Sequence, residues 1–508
     1  MTSASDDEQY LASLGYRQQL FREMGGFSNF AISFSIISIL TGAVLLYGYG
    51  LKFAGPVVSS VGWPIVSLFT LAVAASMAEI ASAYPTAGGL YFWAQRLGGS
   101  RWAWLTAWLN MIGQVTITGG INIAAAIYLI GAATRIFGLE GEYLTTWTFQ
   151  VLVMIAILIP QVLINVYGIR VTARLSDISV WWHIAGVLLI VILLTAFGRH
   201  HNPVSFLFSF APAVNAYDAS ATVAAAELSA PSPLFRLFPA LAELYRAGPA
   251  ALLFVLALLQ AQWTYTGYDA SAHVAEETKM ARLNSAWGIF LSVAVSAVVG
   301  YAMLMVLTWC IPNGDVAATV ADPYPVLHIV ANNLNPLMTN LIAVIIGGAM
   351  WLCGLASVTS MGRMWYAFAR DDGMPGAKYL KRVNGRHHTP VNAIVVTSIL
   401  SVLVCVYAAA FYVVTSISTI TLYLAYVIPI FLNLRNRVPR ELTPWSLGRF
   451  GPAINVVAIA WVAFITIVFM LPPNELVLWT MVALALALPL LWQAHKRLGS
   501  DRLEKLSA

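Results

Sequence analysis

The sequence predicts an all-α integral membrane protein of about twelve transmembrane helices, and three observations carry that prediction. Of 508 residues, 59% are hydrophobic and only 10% charged, against roughly a quarter charged in an ordinary soluble domain. The apolar residues fall into windows separated by polar punctuation, each near the ~20 residues a helix needs to cross a bilayer. With a cytoplasmic N-terminus, only Lys52, Arg135, Arg199, Arg236 and Arg246 of the 27 Lys and Arg fall on the outer side, as the positive-inside rule requires. That topology accounts for the net charge of +5; no basic patch or run points to nucleic acid. Both chain ends are expected in the cytoplasm, and the partner of the apolar surface is the lipid bilayer.

Residues 1–26 read as a cytoplasmic segment. Asp6, Asp7 and Glu8 stand where a signal peptide carries a basic stretch, so the first apolar window is expected to stay as a helix. Spans 1 to 5 are placed near 27–51, 61–84, 102–134, 147–166 and 178–197, together 27–197. Residues 198–248 are rich in Pro, Ala and Ser without a membrane-length run, and are expected to form an extracytoplasmic loop or cap, not a domain. Spans 6 to 10 follow near 249–273, 285–311, 336–369, 390–409 and 413–434, together 249–434. Spans 11 and 12, near 453–472 and 475–493, make an appended unit 453–493. They carry almost no ionisable residues and suit packing better than a solute path. Residues 494–508 form a cytoplasmic tail.

Cys310, Cys353 and Cys405 lie in apolar stretches without CxxC spacing, which excludes a disulfide scaffold, a zinc ribbon and a thioredoxin-type site. No HExxH, nucleotide loop or clustered Ser-His-Asp grouping is present, so an enzyme, a cofactor and a metal are not expected. A channel is disfavoured by the lack of a filter-like repeat. No signalling domain supports a receptor-like sensor.

Two spans carry signs of interruption. Span 1 reads Ser33-Phe34-Ser35-Ile36-Ile37-Ser38-Ile39-Leu40-Thr41-Gly42 and ends Tyr47-Gly48-Tyr49-Gly50; glycine weakens a helix and hydroxyls satisfy freed backbone groups, so a break near 38–42 is expected. A small-residue packing seam is the alternative. In span 6 the run Leu258-Leu259-Gln260 gives way to Trp263-Thr264-Tyr265-Thr266-Gly267-Tyr268-Asp269 at membrane depth, where a carboxylate is expensive unless it serves something. Spans 1 and 6 open successive blocks of five, and an odd block inverts the topology of the next. Interrupted helices at matching places in inverted halves point to a transporter's central site. Freed amides suit a carboxylate and unwound carbonyls an ammonium, so such a site matches an amino acid.

Ala78-Glu79-Ile80-Ala81-Ser82-Ala83-Tyr84-Pro85-Thr86-Ala87-Gly88-Gly89-Leu90-Tyr91 closely resembles the second-helix signature of the amino acid-polyamine-organocation (APC) superfamily, specifically its amino acid/choline transporter branch. Asn165 to Arg170, Trp263 to Asp269 with Ala275-Glu276-Glu277-Thr278-Lys279, and Ala369 to Pro375 resemble further segments of that superfamily, and the likeness spans most of spans 1 to 10. The resemblance implies a leucine-transporter-like fold of five plus five inverted helices with two appended, and secondary transport of amino acids or related amines. Two places depart from it. Met280-Ala281 stands where relatives have Asn-Pro, and Ser38-Ile39-Leu40-Thr41-Gly42 replaces the common Gly-Ser-Gly form, resembling the choline and 4-aminobutyrate branch.

The expected substrate site is therefore Ser38, Ile39, Leu40, Thr41 and Gly42 for the carboxylate, and Thr264, Tyr265, Thr266 and Gly267 for the amine. Asp269 either biases that site toward positive charge or caps the broken helix. Trp263 is a candidate lid, with plain packing as its alternative. His183 aligns with a position where proton-coupled relatives place a lysine; it is either the proton carrier or a neutral histidine bonded to a backbone carbonyl. Ser357, Thr359 and Ser360 leave sodium as the less favoured ion. Glu79 reads as a polar tie near the cytoplasmic interface, and His387 and His388 as solvated. The expected activity is alternating-access, proton-coupled transport of an amino acid or 4-aminobutyrate-like amine across the cytoplasmic (plasma) membrane. Choline or polyamine transport, or amino acid exchange, is the runner-up.

Overall fold

The computed structural model describes residues 4–213, 233–407, 411–472 and 474–497. Among these, the regular elements are all helical, and an isolated bridge pairs Met24 with Thr278. Ten helices are each long and apolar enough to cross a bilayer: Gly26–Leu45, Val58–Ala83, Ser100–Phe137, Trp147–Tyr167, Ile169–Phe197, Ala281–Trp309, Pro336–Arg370, Val413–Arg435, Gly448–Val468 and Glu475–Lys496. Span 6, Ala250–Thr264, and span 9, Val391–Val406, complete the expected twelve. The chain is a multi-pass membrane protein.

Span 5 starts at Ile169, earlier than its apolar window, because Arg170, Arg174 and Asp177 occupy the first turns of the helix and not a loop. Charged side chains at a span's end reach the interface while the backbone stays helical. Span 8 also carries charge at its other end, but Arg363 and Arg370 inside Pro336–Arg370 are buried, paired with Glu277 and Glu276. In the long connection between spans 5 and 6, residues 214–232 lie outside the described residues, as does the tail from 498. The described part holds short helices, Val204–Phe208, Pro233–Leu237 and Pro239–Ala247. The last meets span 6 at 93°: Gly248 closes it in the left-handed region, and Pro249 cannot continue it.

Burial sorts the spans. The most apolar windows of spans 1 and 3 are 83% and 89% buried within the protein, whereas those of spans 4 and 12 are 33% and 17% buried. The latter turn Leu152, Ile159, Leu163, Leu486 and Leu490 outward, the face a hydrocarbon solvent accepts. Spans 1, 2, 3, 8 and 10, together with Leu259–Thr264 of span 6, thus form the interior. The N-terminal segment, opening with Ala4–Ser13, lies across one end of the bundle. There Tyr10 donates to the Ala83 carbonyl at 2.8 Å, Gln18 to that of Glu276 at 2.7 Å, and the Met24 amide to Glu277 at 2.9 Å. At the other end two short helices, Val316–Ala321 and Pro325–Asn333, pack against the second half of span 1, with Pro325 against Gly48.

Candidate substrate site at the paired helix breaks

Span 1 stops being one helix at Ser38, whose φ of 35° and ψ of 86° lie in the left-handed region. For a residue with a Cβ that conformation costs about 1–2 kcal/mol. The Ser38 hydroxyl recovers part of it by sitting 2.6 Å from Thr41 Oγ1 and 2.7 Å from His183 Nε2. Its carbonyl accepts from the amides of Thr41 and Gly42 at 2.8 and 3.0 Å, and the helix restarts as Ile39–Leu45. The thiol of Cys353, on span 8, donates to the Ile36 carbonyl at 3.3 Å.

Span 6 stops at Thr264 and resumes at Ala270. Between them Gly267 has φ +82°, and a Cβ there would stand 2.2 Å from Ile36 Cγ2; both conformation and space demand glycine. A Cβ on Gly42 would stand 2.6 Å from Thr264 Oγ1 and 2.8 Å from Thr264 Cα, so the two breaks touch. The unwound strand is held by span 10: Tyr423 donates to the Tyr265 carbonyl, and the Gly267 amide donates to Tyr426 Oη at 3.1 Å. Ser33 of span 1 donates to the Tyr268 carbonyl at 2.8 Å and accepts from the Ser271 amide at 2.9 Å.

Where the breaks meet, Thr41, Gly42, Trp263, Thr264 and Thr266 border a cavity of about 10 Å³ with Ile36, Ile37, Ile117 and Ile121. That is the scale of one water molecule, so the site is closed in this conformation. Its lining is neutral. Trp263 is anchored by donation from Nε1 to Ser418 Oγ at 3.2 Å. Ile39 and Leu40 are buried in the restarted turn without bordering the cavity. Tyr265 turns its hydroxyl to Ser67 at 2.6 Å.

His183 is buried, with Nδ1 2.7 Å from the Ser179 carbonyl. A carbonyl only accepts, so Nδ1 carries a proton, and in the neutral ring Nε2 accepts from Ser38. Protonation reverses that bond: Nε2 donates to Ser38, whose own proton turns to Thr41. The hydroxyls considered for sodium are spread over separate partners, Ser357 with Thr118 at 2.7 Å and Thr359 with Asn165 at 2.8 Å. Asp269 does not border the cavity. Its Oδ2 accepts from Asn110, Gln114 and His273 at 2.9, 3.0 and 3.0 Å, and its Oδ1 from Tyr426 at 2.8 Å. Glu79 ties span 2 to the turn before span 11, accepting from Ser446 Oγ and the Leu447 amide at 3.0 Å.

Sequence reasoning missed Asn110, Gln114, His273, Tyr423 and Tyr426. The first two stand four residues apart, on one face of a membrane-spanning helix, and that spacing was the available signal.

Two discontinuous spans whose breaks meet inside an all-helical bundle define the protein as a membrane transporter of the broken-helix class. The sequence model of the amino acid permease family matches residues 24–492. The amino-acid permease BAT1 of Arabidopsis thaliana is 33% identical over 489 residues, covering 91% of this chain and 88% of its own length. The BAT1 homolog of Oryza sativa subsp. japonica is 33% identical over 486 residues, 91% and 87% of the two chains. Amino-acid permease 2 of Neurospora crassa is 25% identical over 485 residues, 93% and 83%. The chain belongs to the amino acid permease family of the APC superfamily, all-α membrane transporters of about twelve helices. It is a permease and not an enzyme.

Proposed function

We propose that the protein carries an amino acid or a 4-aminobutyrate-like amine across the cytoplasmic (plasma) membrane by proton-coupled alternating access, with both chain ends in the cytoplasm. The observation that carries this reading is the contact of the two breaks, Gly42 against Thr264, around a neutral cavity. Backbone at Ser38 to Gly42 receives the substrate carboxylate and backbone at Thr264 to Gly267 the amine, since helix-end dipoles recognise a zwitterion without fixed charges. Trp263 covers the site. Asp269 acts through the unwound segment it braces. His183 supplies beside span 1 the cation that sodium supplies in sodium-driven relatives, and its deprotonation on the inner side releases that brace.

An organic cation such as choline or a polyamine is the second reading. Trp263 offers it an aromatic face, but it is supported less because the cavity lining holds no carboxylate. An amino acid exchanger would use the same site. Radiolabelled uptake into proteoliposomes tests the proposal: saturable, counterflow-competent uptake of an amino acid or 4-aminobutyrate is expected. Failure of every amine to accumulate or exchange overturns it.

A further inference from the structure

Asp269 and His273 stand one turn apart beyond the break in span 6, both with fully buried side chains. His273 Nε2 lies 3.0 Å from Asp269 Oδ2, and Nδ1 lies 3.1 Å from the Ala87 carbonyl. The Ala87 carbonyl only accepts, so Nδ1 donates to it, and a second proton lies between Nε2 and Asp269 Oδ2. Around the pair stand Asn110 and Gln114 from span 3, Tyr423 and Tyr426 from span 10, and Tyr268 from the unwound strand. The further charges are reached through Ala87.

Ala87 belongs to the connection between spans 2 and 3, and it is held from two sides. Its carbonyl receives the His273 bond, and its amide donates to Glu276 Oε1 at 3.0 Å. Glu276 is gripped through both oxygens by Arg370 at 2.8 Å. Arg370 lies 4.1 Å from the ring centroid of Tyr16 in the N-terminal segment, and Tyr16 donates to Asp371 at 2.6 Å. One residue thus joins the buried pair below the substrate site to the ionic closure across that end of the bundle. The second half of span 6 is bonded to span 3 through Asp269 and to the connection through Ala87, so an opening that moves this half parts it from one or the other. Either movement takes a buried donor from its acceptor, which is costly in a low-dielectric interior.

We propose that the Asp269–His273 pair latches the N-terminal-segment end of the transport path, with His273 as the positioning residue that clamps the connection at Ala87 onto span 6 and keeps the Glu276–Arg370 closure aligned. The purpose of the latch rests on the transporter reading above; its existence does not.

Cys353 supplies a native reporter, because its thiol is buried against the span 1 break. In the full chain carrying Cys310→Ser and Cys405→Ser, in membrane vesicles of defined sidedness, the rate of Cys353 modification by an impermeant methanethiosulfonate is measured from each face. His273→Gln and His273→Leu are expected to raise the rate roughly tenfold from the face of the N-terminal segment and not from the other, the scale of one lost bond to a charged group. Glu276→Gln should do the same. An unchanged rate in both His273 variants while Glu276→Gln raises it overturns the latch. An equal rise from both faces also overturns it, since general loosening would produce that. The measurement needs no substrate, so a failed uptake screen would remove the transport reading and leave this result standing.

Discussion

The hydroxyl of Ser38 and Nε2 of His183 lie 2.7 Å apart, joining the one strained turn of span 1 to the middle of span 5. The contact ties backbone geometry to a protonation state, because the direction of the bond reverses when the ring gains a proton. Thr41, 2.6 Å from Ser38, borders the cavity and would register the reversal.

If this contact couples transport, uptake rises as external pH falls and persists without sodium. His183→Ala and His183→Lys should both lose the pH response. Proton-gradient-driven uptake in wild type and both variants checks this, since pH dependence alone would not single out His183. An unchanged response in both removes His183 from the mechanism, and strict sodium dependence removes proton coupling.

Gly42→Val and Gly267→Val should abolish substrate binding while leaving monodisperse protein. The obstacle at Gly42 is the backbone of Thr264 itself, which cannot move aside as a flexible side chain can. Loss of roughly a hundredfold or more in affinity, about 2.7 kcal/mol, is expected in scintillation proximity binding. Wild-type affinity in both would place the site elsewhere.

Glu276 bears on acid behaviour. Burial alone would raise its carboxyl, but the Arg370 guanidinium and the Ala87 amide outweigh it and hold it below its ordinary value of 4.5. A depressed carboxyl contributes stability that is complete above the unfolded value and lost as pH falls through the folded one. The closure should therefore be flat from pH 5 to 8 at Glu276, so thermal midpoints of wild type and Glu276→Gln should keep a constant gap there. The gap should shrink below about pH 4.

Glu277 and Arg363 form a fully buried pair at 3.0 Å. Glu277→Gln or Arg363→Met should each destabilise by about 3–5 kcal/mol, through the charge left unpaired, and the double variant by less than their sum. Urea unfolding in mild detergent measures this; strict additivity would argue against coupling.

Met280 occupies the left-handed region, φ 51°, at the start of span 7. Asparagine bonds locally in that conformation and a methionine does not, so Met280→Asn should stabilise by about 1 kcal/mol. A thermal midpoint unchanged or lowered in detergent would show that the strain is absorbed elsewhere.

The sequence by itself determined where hydrocarbon must meet the chain and where a helix cannot persist, because both follow from local composition. The glycines at 42 and 267, the hydroxyls beside them and the second-helix signature made the two breaks and the family legible. Local pattern also misplaced the start of span 5, since Arg170 and Arg174 look the same in a loop as in a helix that emerges from the bilayer. Which groups Asp269 meets was decided only by tertiary structure. Asn110 and Tyr426 are 159 and 157 residues from it, and nothing in the local sequence says which face of one span will lie against another. The same holds for His273, an unremarked residue four positions past a carboxylate until packing brings the Ala87 carbonyl to its second nitrogen. A buried polar group takes its role from its partners, and the fold supplies the partners.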